Sequence, residues 1–366
     1  IKDVDGRPTT ARLVFRDAAG HVFPAQAKRL APDFFFQDQI YRRDGEAVLL
    51  PSGRYYLSYS RGPEYLTLQR DFVVPEAAET TVALKLERWF DAAAHGFYSG
   101  DHHIHGSGCA HYTSPSEGVG PADLFANVKG EGLNVGCILT WGPGFDAQRS
   151  FFSPQADKVS EPLTLMKYDL EISGFGSQAL GHVCLLNLKD QVYPGTDGSS
   201  KGWPTWTVPV LRWAKEQGGV TGYPHTAMNV DGRAIAGAVL RDFDADKNGV
   251  LSPGEAAQTL LPEDFKVVDA GGDGSLSAGE IAASCERKAG ELPNLVVPRS
   301  VIEICVSTAL GLCDFISAMN TARVSEWNTW YHLMNCGFPL KVSGETDFPC
   351  MSGSRVGEGR VYVQLG

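Results

Sequence analysis

The spacing of apolar residues changes near residue 95, and that change limits the fold more than any single motif. Through about residue 88, short β-rich runs ("ARLVFRD", "AVLLP", "RYYLSYS", "FVVP", "TTVALKLE") alternate with Gly, Pro and Asp. This is the rhythm of a small antiparallel β-sandwich. Beyond it, the strand-like runs "LNVGCILTW", "LMKYDLEIS", "HVCLLNL", "GGVTGY", "SVIEICV", "CDFIS", "LKVSGET" and "RVYVQL" are interleaved with helical stretches. The clearest helices are "PADLFANVKGEG", with Pro121 in its first turn, "VPVLRWAKEQ", and "SEWNTWYHLMNCG", which closes on Gly337. Alternating strand and helix implies a parallel sheet, and this many repeats favours closure into a TIM-like barrel. The reading is therefore a β-sandwich at 1–90 and an α/β barrel at 91–366, interrupted at 242–285 by an acidic, Gly-rich insertion.

Charge and composition narrow the partners. The 32 basic and 43 acidic residues give a formal charge of −11, which repels polyphosphate backbones, so nucleic acid is not an expected partner. No apolar run reaches the length of about 18 needed for a transmembrane segment. Because the chain begins at Ile1 rather than Met, it reads as a mature form whose export signal is gone, placing it in an extracellular or periplasmic setting. Its eight cysteines lie singly, without a CxxC pair, and read mainly as core thiols. Cys305 with Cys313, and Cys336 with Cys350, are the pairings an exported chain could use.

Four of the nine histidines, His102, His103, His105 and His111, fall within "SGDHHIHGSGCAHYT" at 99–113. His103 and His105 are two apart, so on a strand both rings face one side and can close on one cation, while His102 points away and reads as structural. Glu171 ends "LMKYDLEIS", His225 ends "GGVTGYPH", Asp347 follows "LKVSGETD", and His182 opens the next strand after Glu171. The C-terminal rim of a barrel is where such distant strand ends converge. Tyr98, Trp141, Trp203, Trp206 and Trp327 are candidates for an apolar pocket wall, and Arg149 and Arg355 for an anion contact.

The arrangement resembles the PHP superfamily of polymerase- and histidinol-phosphatase-like metallohydrolases, and within it the carbaryl-hydrolase-like CehA/McbA branch. "GFYSGDHHIH", "WYHLMNCGF" and "SGETDFPC" carry the likeness, over about residues 95–366 without the insertion. Asp101, His103 and His105 match the Asp-x-His-x-His motif, and His111, Glu171, His182, His225 and Asp347 match the later positions. The resemblance implies a distorted, PHP-type TIM-like barrel. It also implies His103, His105, Glu171 and Asp347 around one divalent ion, with Glu171 bridging to a second held by His182 and His225. Two family histidines are missing: "TWG" follows the second strand, and Phe348-Pro349 follows Asp347. The expectation is therefore two transition metals (Zn, Mn or Fe) rather than three.

The implied activity is hydrolysis by a metal-bound hydroxide of an ester-type bond in a small molecule, either a phosphoester or a carbamate or carboxylic ester. His111 is the candidate general acid, and Trp141 and Arg355 are the candidate substrate contacts. Sequence gives no oligomeric state.

In the insertion, "DADKNGVLSPGE" matches the twelve-residue EF-hand loop: Asp244, Asp246 and Asn248, a turn at Gly249, the Val250 carbonyl, and Glu255 closing the site. "DAGGDGSLSAGE" repeats it with Asp269, Asp273, the Ser275 carbonyl and Glu280, but Gly271 replaces one carboxylate. Ca2+ is the expected ion, in a compact clamp rather than a calmodulin-like switch, since no Met-rich helices flank the loops. The rival reading is a secreted calcium- and glycan-binding protein whose barrel metal site is structural or degenerate.

Overall fold

The computed structural model describes the chain except residues 30, 77–78, 107–118, 174, 176–179, 226–231, 260, 292–302, 320–322, 352 and 366. It is a mixed α/β protein with several sheets, none of them closed into a barrel.

The first sheet contains β1 (Thr10–Arg16), β2 (Val22–Phe23), β3 (Ile40–Arg43), β4 (Gly53–Ser60) and β5 (Leu68–Val74), all antiparallel. Its inward positions obey the two-residue period: Ala11, Leu13 and Phe15 of β1 and Tyr55 and Leu57 of β4 are buried together. The second layer of the expected sandwich is absent among the described residues. "TTVALKLE" stays extended and buries Leu84 and Leu86 in this core, but the flanking segments pair only through the isolated bridges Lys2–Lys85 and Tyr65–Arg88. "AVLLP" forms no strand, and its Leu49 is 90% exposed.

The remaining chain begins with β6 (Phe97–His105), α1 (Pro121–Gly130), β7 (Val135–Leu139), α2 (Pro143–Gln148) and β8 (Leu165–Tyr168). Then come β9 (Leu170–Ile172), β10 (Val183–Leu186), α3 (Thr207–Glu216) and β11 (Val220–Tyr223). The acidic segment contributes α4 (Gly232–Phe243), β12 (Val250–Leu251), α5 (Pro253–Ala256), α6 (Phe265–Val268), β13 (Leu276–Ser277) and α7 (Ala278–Glu291). The chain closes with α8 (Glu303–Ala309), β14 (Phe315–Ser317), α9 (Arg323–Asn335), β15 (Lys341–Ser343) and β16 (Val361–Gln364). α8 occupies most of "SVIEICV", which the sequence pattern reads as a strand; short apolar runs do not distinguish the two.

The strands beyond residue 95 form two sheets, ordered β16-β6-β7-β8 and β15-β14-β11-β10-β9, that do not close into one barrel among the described residues. The parallel pattern holds for β6–β7–β8 and for β11–β14–β15. It breaks at β10, which runs antiparallel to both neighbours. Between β9 and β10 the chain has only ten residues, fewer than the dozen or more that a parallel crossover needs.

Asp169 turns the chain from one sheet to the other. Its buried carboxylate accepts hydrogen bonds from the backbone of Asn187 (2.8 Å) and Leu188 (3.0 Å) and from Lys167 (3.0 Å). On the far side, Phe348 bridges to Ile104 in parallel register, tying the segment after β15 to the end of β6. α1 joins the second half to the first sheet. A Cβ on Gly130 would lie 2.3 Å from the Tyr41 ring, so only glycine admits that ring, whose hydroxyl donates to buried Glu131 (2.8 Å).

The acidic segment has a core of its own, built from Ala236, Leu251, Val268, Leu276 and Ile281, with β12 and β13 as a two-residue antiparallel pair.

No helix among the described residues is long and apolar enough to cross a membrane. Neither expected cysteine pair forms: Cys305, Cys313 and Cys336 are free thiols, while Cys350 is disulfide-bonded.

Candidate metal centre

β6 places His103 and His105 at its C-terminal end, both almost fully buried. Their Nε2 atoms lie 3.1 Å apart. Asp347 enters from the segment beyond β15, with Oδ1 2.9 Å from His105 Nε2 and 3.4 Å from His103 Nε2. Glu171, on β9, lies 3.5 Å from both nitrogens through Oε2. Ligand atoms about 2.1 Å from a single ion sit roughly 3.0–3.4 Å from one another, so this spacing fits a shared cation. The other oxygen of Glu171 faces the second histidine pair, 2.9 Å from His182 Nδ1 and 3.8 Å from His225 Nε2. Asp347 spans the same gap, with Oδ2 3.9 Å from His225 Nε2. The structure thus brings all six sequence-derived ligands together: five fall in the groups His103–His105–Glu171 and Glu171–His182–His225, each able to hold a metal ion, and Asp347 lies against both histidine pairs.

The outer nitrogens fix how the rings present themselves. His105 Nδ1 is 3.1 Å from the Leu139 carbonyl, which can only accept, so Nδ1 carries a hydrogen and Nε2 is the atom turned to the cluster. His103 Nδ1 is 2.8 Å from Glu345 Oε2. Burial opposes charge on His103, yet Cys184 and the carboxylates of Asp347, Glu345 and Glu171 raise its pKa well above the usual value. Burial likewise works against charge on Glu171, but His103, His182 and His105 hold it well below the carboxylate range. Without an ion, the cluster draws a proton to the point where a lone pair and two carboxylates converge, and a divalent cation competes for that point. Burial and the neighbouring His182 pull His225 down to about 4, so at neutral pH its ring is uncharged, as a ligand must be.

The two halves differ in access. His103 is sealed, whereas the side chains of His182 and His225 are 38% and 24% exposed, so the second half of the cluster faces solvent.

Glu345 is the residue sequence reasoning missed. It is 1% exposed, and burial pushes its carboxyl up to about 7 against the pull of His103. The signal was available: Glu345 precedes Asp347 by two, the same parity that singles out His103 and His105. Cys184 is also buried beside His103 and Glu345. A β-bulge between Asp101 and Ile104 breaks the alternation assumed for His102, bringing its Nε2 to 3.6 Å from Glu345. Its ring packs edge-on against Phe315, and burial and His103 drive its pKa down to about 3. Among the described residues, Asp101 belongs to no group able to hold an ion; it accepts from the backbone of His103 (3.2 Å), Thr346 (3.1 Å) and Gly357 (2.8 Å), anchoring the segment that carries Asp347 to β6. Cys350 lies near His105 and Asp347, but a disulfide sulfur is not a thiolate ligand.

His111 lies outside the described residues. Trp141 is half-buried in the core beside β9 and β10, edge-on to Trp203 (4.8 Å) and tilted on Phe145. Trp206 and Trp327 are about half exposed. The Arg149 guanidinium sits over Phe145. Arg355 lies 3.8 Å from Glu131 and 3.6 Å from Glu358, in a cleft that none of the six clustered ligands lines.

In the acidic segment, Asp244 accepts from the backbone of Asn248 (3.1 Å) and Gly249 (2.8 Å), and Glu255 from Ala245 and Ser252. The second loop repeats this: Asp269 accepts from Asp273 (3.1 Å) and Gly274 (3.0 Å), and Glu280 from Gly271 and Ser277. Asp244, Asp246 and Glu255 gather closely enough to hold an ion. Among the described residues, Asp269, Asp273 and Glu280 form no such group, and Gly271 supplies no carboxylate between them.

No protein-family model, curated protein or solved structure matches this chain.

Proposed function

We propose that the chain is a metal-dependent hydrolase with a dinuclear, PHP-like centre, acting on an ester-type bond of a small molecule. The observation that carries this reading is the placement of Glu171, with one oxygen toward His103 and His105 and the other toward His182 and His225. Carboxylates that span two imidazole pairs suit two adjacent divalent ions of the Zn, Mn or Fe class. Such ions, when bound, would acidify a water and polarise the attacked oxygen. The chain's own residues then divide the work: His103, His105 and Asp347 anchor the buried half, Glu345 holds the His103 ring, and the solvent-facing His182 and His225 leave room for a substrate.

Two features support a distorted PHP-type barrel for 91–366: the passage of β8 into β9 through Asp169, and the Ile104–Phe348 bridge on the opposite side. The loop pair at 242–285 is proposed as an EF-hand-like calcium staple, from the matching Asp244 and Asp269 hydrogen-bond patterns. The disulfide at Cys350 supports an oxidising, exported setting.

Metal-loaded protein should be offered an aryl phosphate, an aryl phosphodiester, an aryl acetate and an aryl carbamate in parallel. Turnover of at least one, lost in Glu171→Gln, is expected. If a fully loaded protein turns over none of the four, the hydrolase reading fails in favour of a structural metal site on a binding protein.

A further inference from the structure

A cleft of about 200 Å³ lies where the first sheet meets α1 and the loop before β16. Arg12 of β1, Arg355 and Arg360 converge on it, with Glu131 and Glu358 in the same lining. Three guanidinium groups against two carboxylates leave one net positive charge. Glu131 is fully buried; its Oε1 accepts from Tyr41, and its Oε2 accepts no hydrogen bond. It faces Arg12 at 3.5 Å and Arg355 at 3.8 Å, and Glu358 flanks Arg355 from the other side at 3.6 Å. Arg360 turns Nε to the Gly357 carbonyl (2.6 Å) and Nη2 to the Glu131 carbonyl (3.0 Å), while its buried Nη1 donates no hydrogen bond. Among the described residues, therefore, Arg12 and Arg355 line the cleft, held by carboxylates at 3.5–3.8 Å while their N–H groups donate no hydrogen bond.

We propose that this cleft is a binding site for a small hydroxylated carboxylate. A planar carboxylate matches the guanidinium fork and cancels the single excess charge, whereas a phosphate dianion would overshoot it. The rest of the lining is mixed: Thr67 and the backbone of Gly62 and Gly357 are available to hydroxyl groups, and Pro63 and the Tyr65 ring offer an apolar wall to a sugar face. At about 30 Å³ per water, the volume corresponds to roughly seven waters, enough for a single sugar acid. The site is independent of the metal centre.

The test is calorimetric titration of the intact, metal-loaded protein at low salt with glucuronate, and in separate arms with glucose and with inorganic phosphate. Glucuronate is expected to saturate one site and glucose to give no signal. Arg355→Gln and Arg12→Gln should each weaken glucuronate at least tenfold, and Arg54→Gln, whose partner is Asp71 on the same sheet, should not. Glu171→Gln should keep the binding, which separates this cleft from any carboxylate taken up by bound metal. If Arg12→Gln does not fold, Arg355→Gln, in a partly exposed loop position, decides alone. Glucuronate binding no tighter than glucose, tighter binding of phosphate, or wild-type affinity in Arg355→Gln would overturn the proposal.

Discussion

Replacing Glu345 separates metal binding from folding, because the two should move in opposite directions. The carboxylate is 1% exposed and sits 2.8 Å from His103 Nδ1. Partners that orient a ligating imidazole are worth about 10–100-fold in metal affinity, or roughly 1.4–2.7 kcal/mol. Glu345→Gln keeps the shape and an acceptor oxygen but loses the charge, so it should sit near the tenfold end. Glu345→Ala also leaves the His103 N–H buried without a partner and should approach a hundredfold. The metal-free chain behaves differently. The folded pKa of about 7 lies above the ordinary carboxylate value of 4.5. The group's contribution to stability is therefore fully present below the unfolded value and is lost as pH rises through 7. A shift of that size corresponds to about 3 kcal/mol, so at pH 8 metal-free Glu345→Gln should be more stable than the parent, with the gain fading by pH 4.5. Competition with a chromophoric chelator measures the first quantity and denaturant unfolding after dialysis measures the second. Wild-type affinity in both variants, or a Gln variant that loses stability at pH 8, would refute the role given to Glu345.

Four further outcomes follow. His102 has a folded pKa of about 3, below the usual 6.5, so its neutral form contributes stability above 6.5 that is lost as pH falls toward 3. Between pH 7.5 and 5 the metal-free parent should lose about 2 kcal/mol more than His102→Gln in urea unfolding. Phe348 is fully buried against Phe34 and bridges to Ile104, so Phe348→Ala should cost about 3–5 kcal/mol and weaken metal binding by releasing the neighbouring Asp347. Gly130→Ala would drive a methyl into the Tyr41 ring and should cost about 1–3 kcal/mol by thermal unfolding, without changing metal stoichiometry. Calcium chelation should lower the melting temperature of the segment around α4 and α7 and leave turnover on restored transition metal intact; a large change in kcat at unchanged stability would contradict a purely stapling role.

Local periodicity made the ligands legible. The two-residue step from His103 to His105 and the strand-end positions of Glu171, His182, His225 and Asp347 singled out the six side chains, and the resemblance to the PHP superfamily grouped them around shared ions. The same rule applied to Glu345 and was not used there, because the acid beside Asp347 had no partner visible along the sequence; His103 lies 242 residues away. His102 escaped the alternation rule because a bulge depends on pairing with β7. α8 and the segment of "AVLLP" were misread where a short apolar run carries no period. The division of the strands into two sheets was not legible either, since it turns on the antiparallel placement of β10 and on the sheet switch at Asp169, both decided by long-range contacts. The cysteines followed the same pattern: buried Cys137, Cys184 and Cys285 read correctly as core thiols, whereas the chain state of Cys350 did not follow from spacing.

Counting the transition ions bound to the chain tests the central claim most directly. Elemental analysis of protein refolded with excess metal and then freed of loosely held ions should give two per chain. Glu171→Gln, which removes the charge shared between the two histidine pairs, should fall to one or fewer while keeping the fold. Fewer than two ions in the parent, three in the parent, or two retained in Glu171→Gln would contradict a dinuclear centre bridged by that carboxylate.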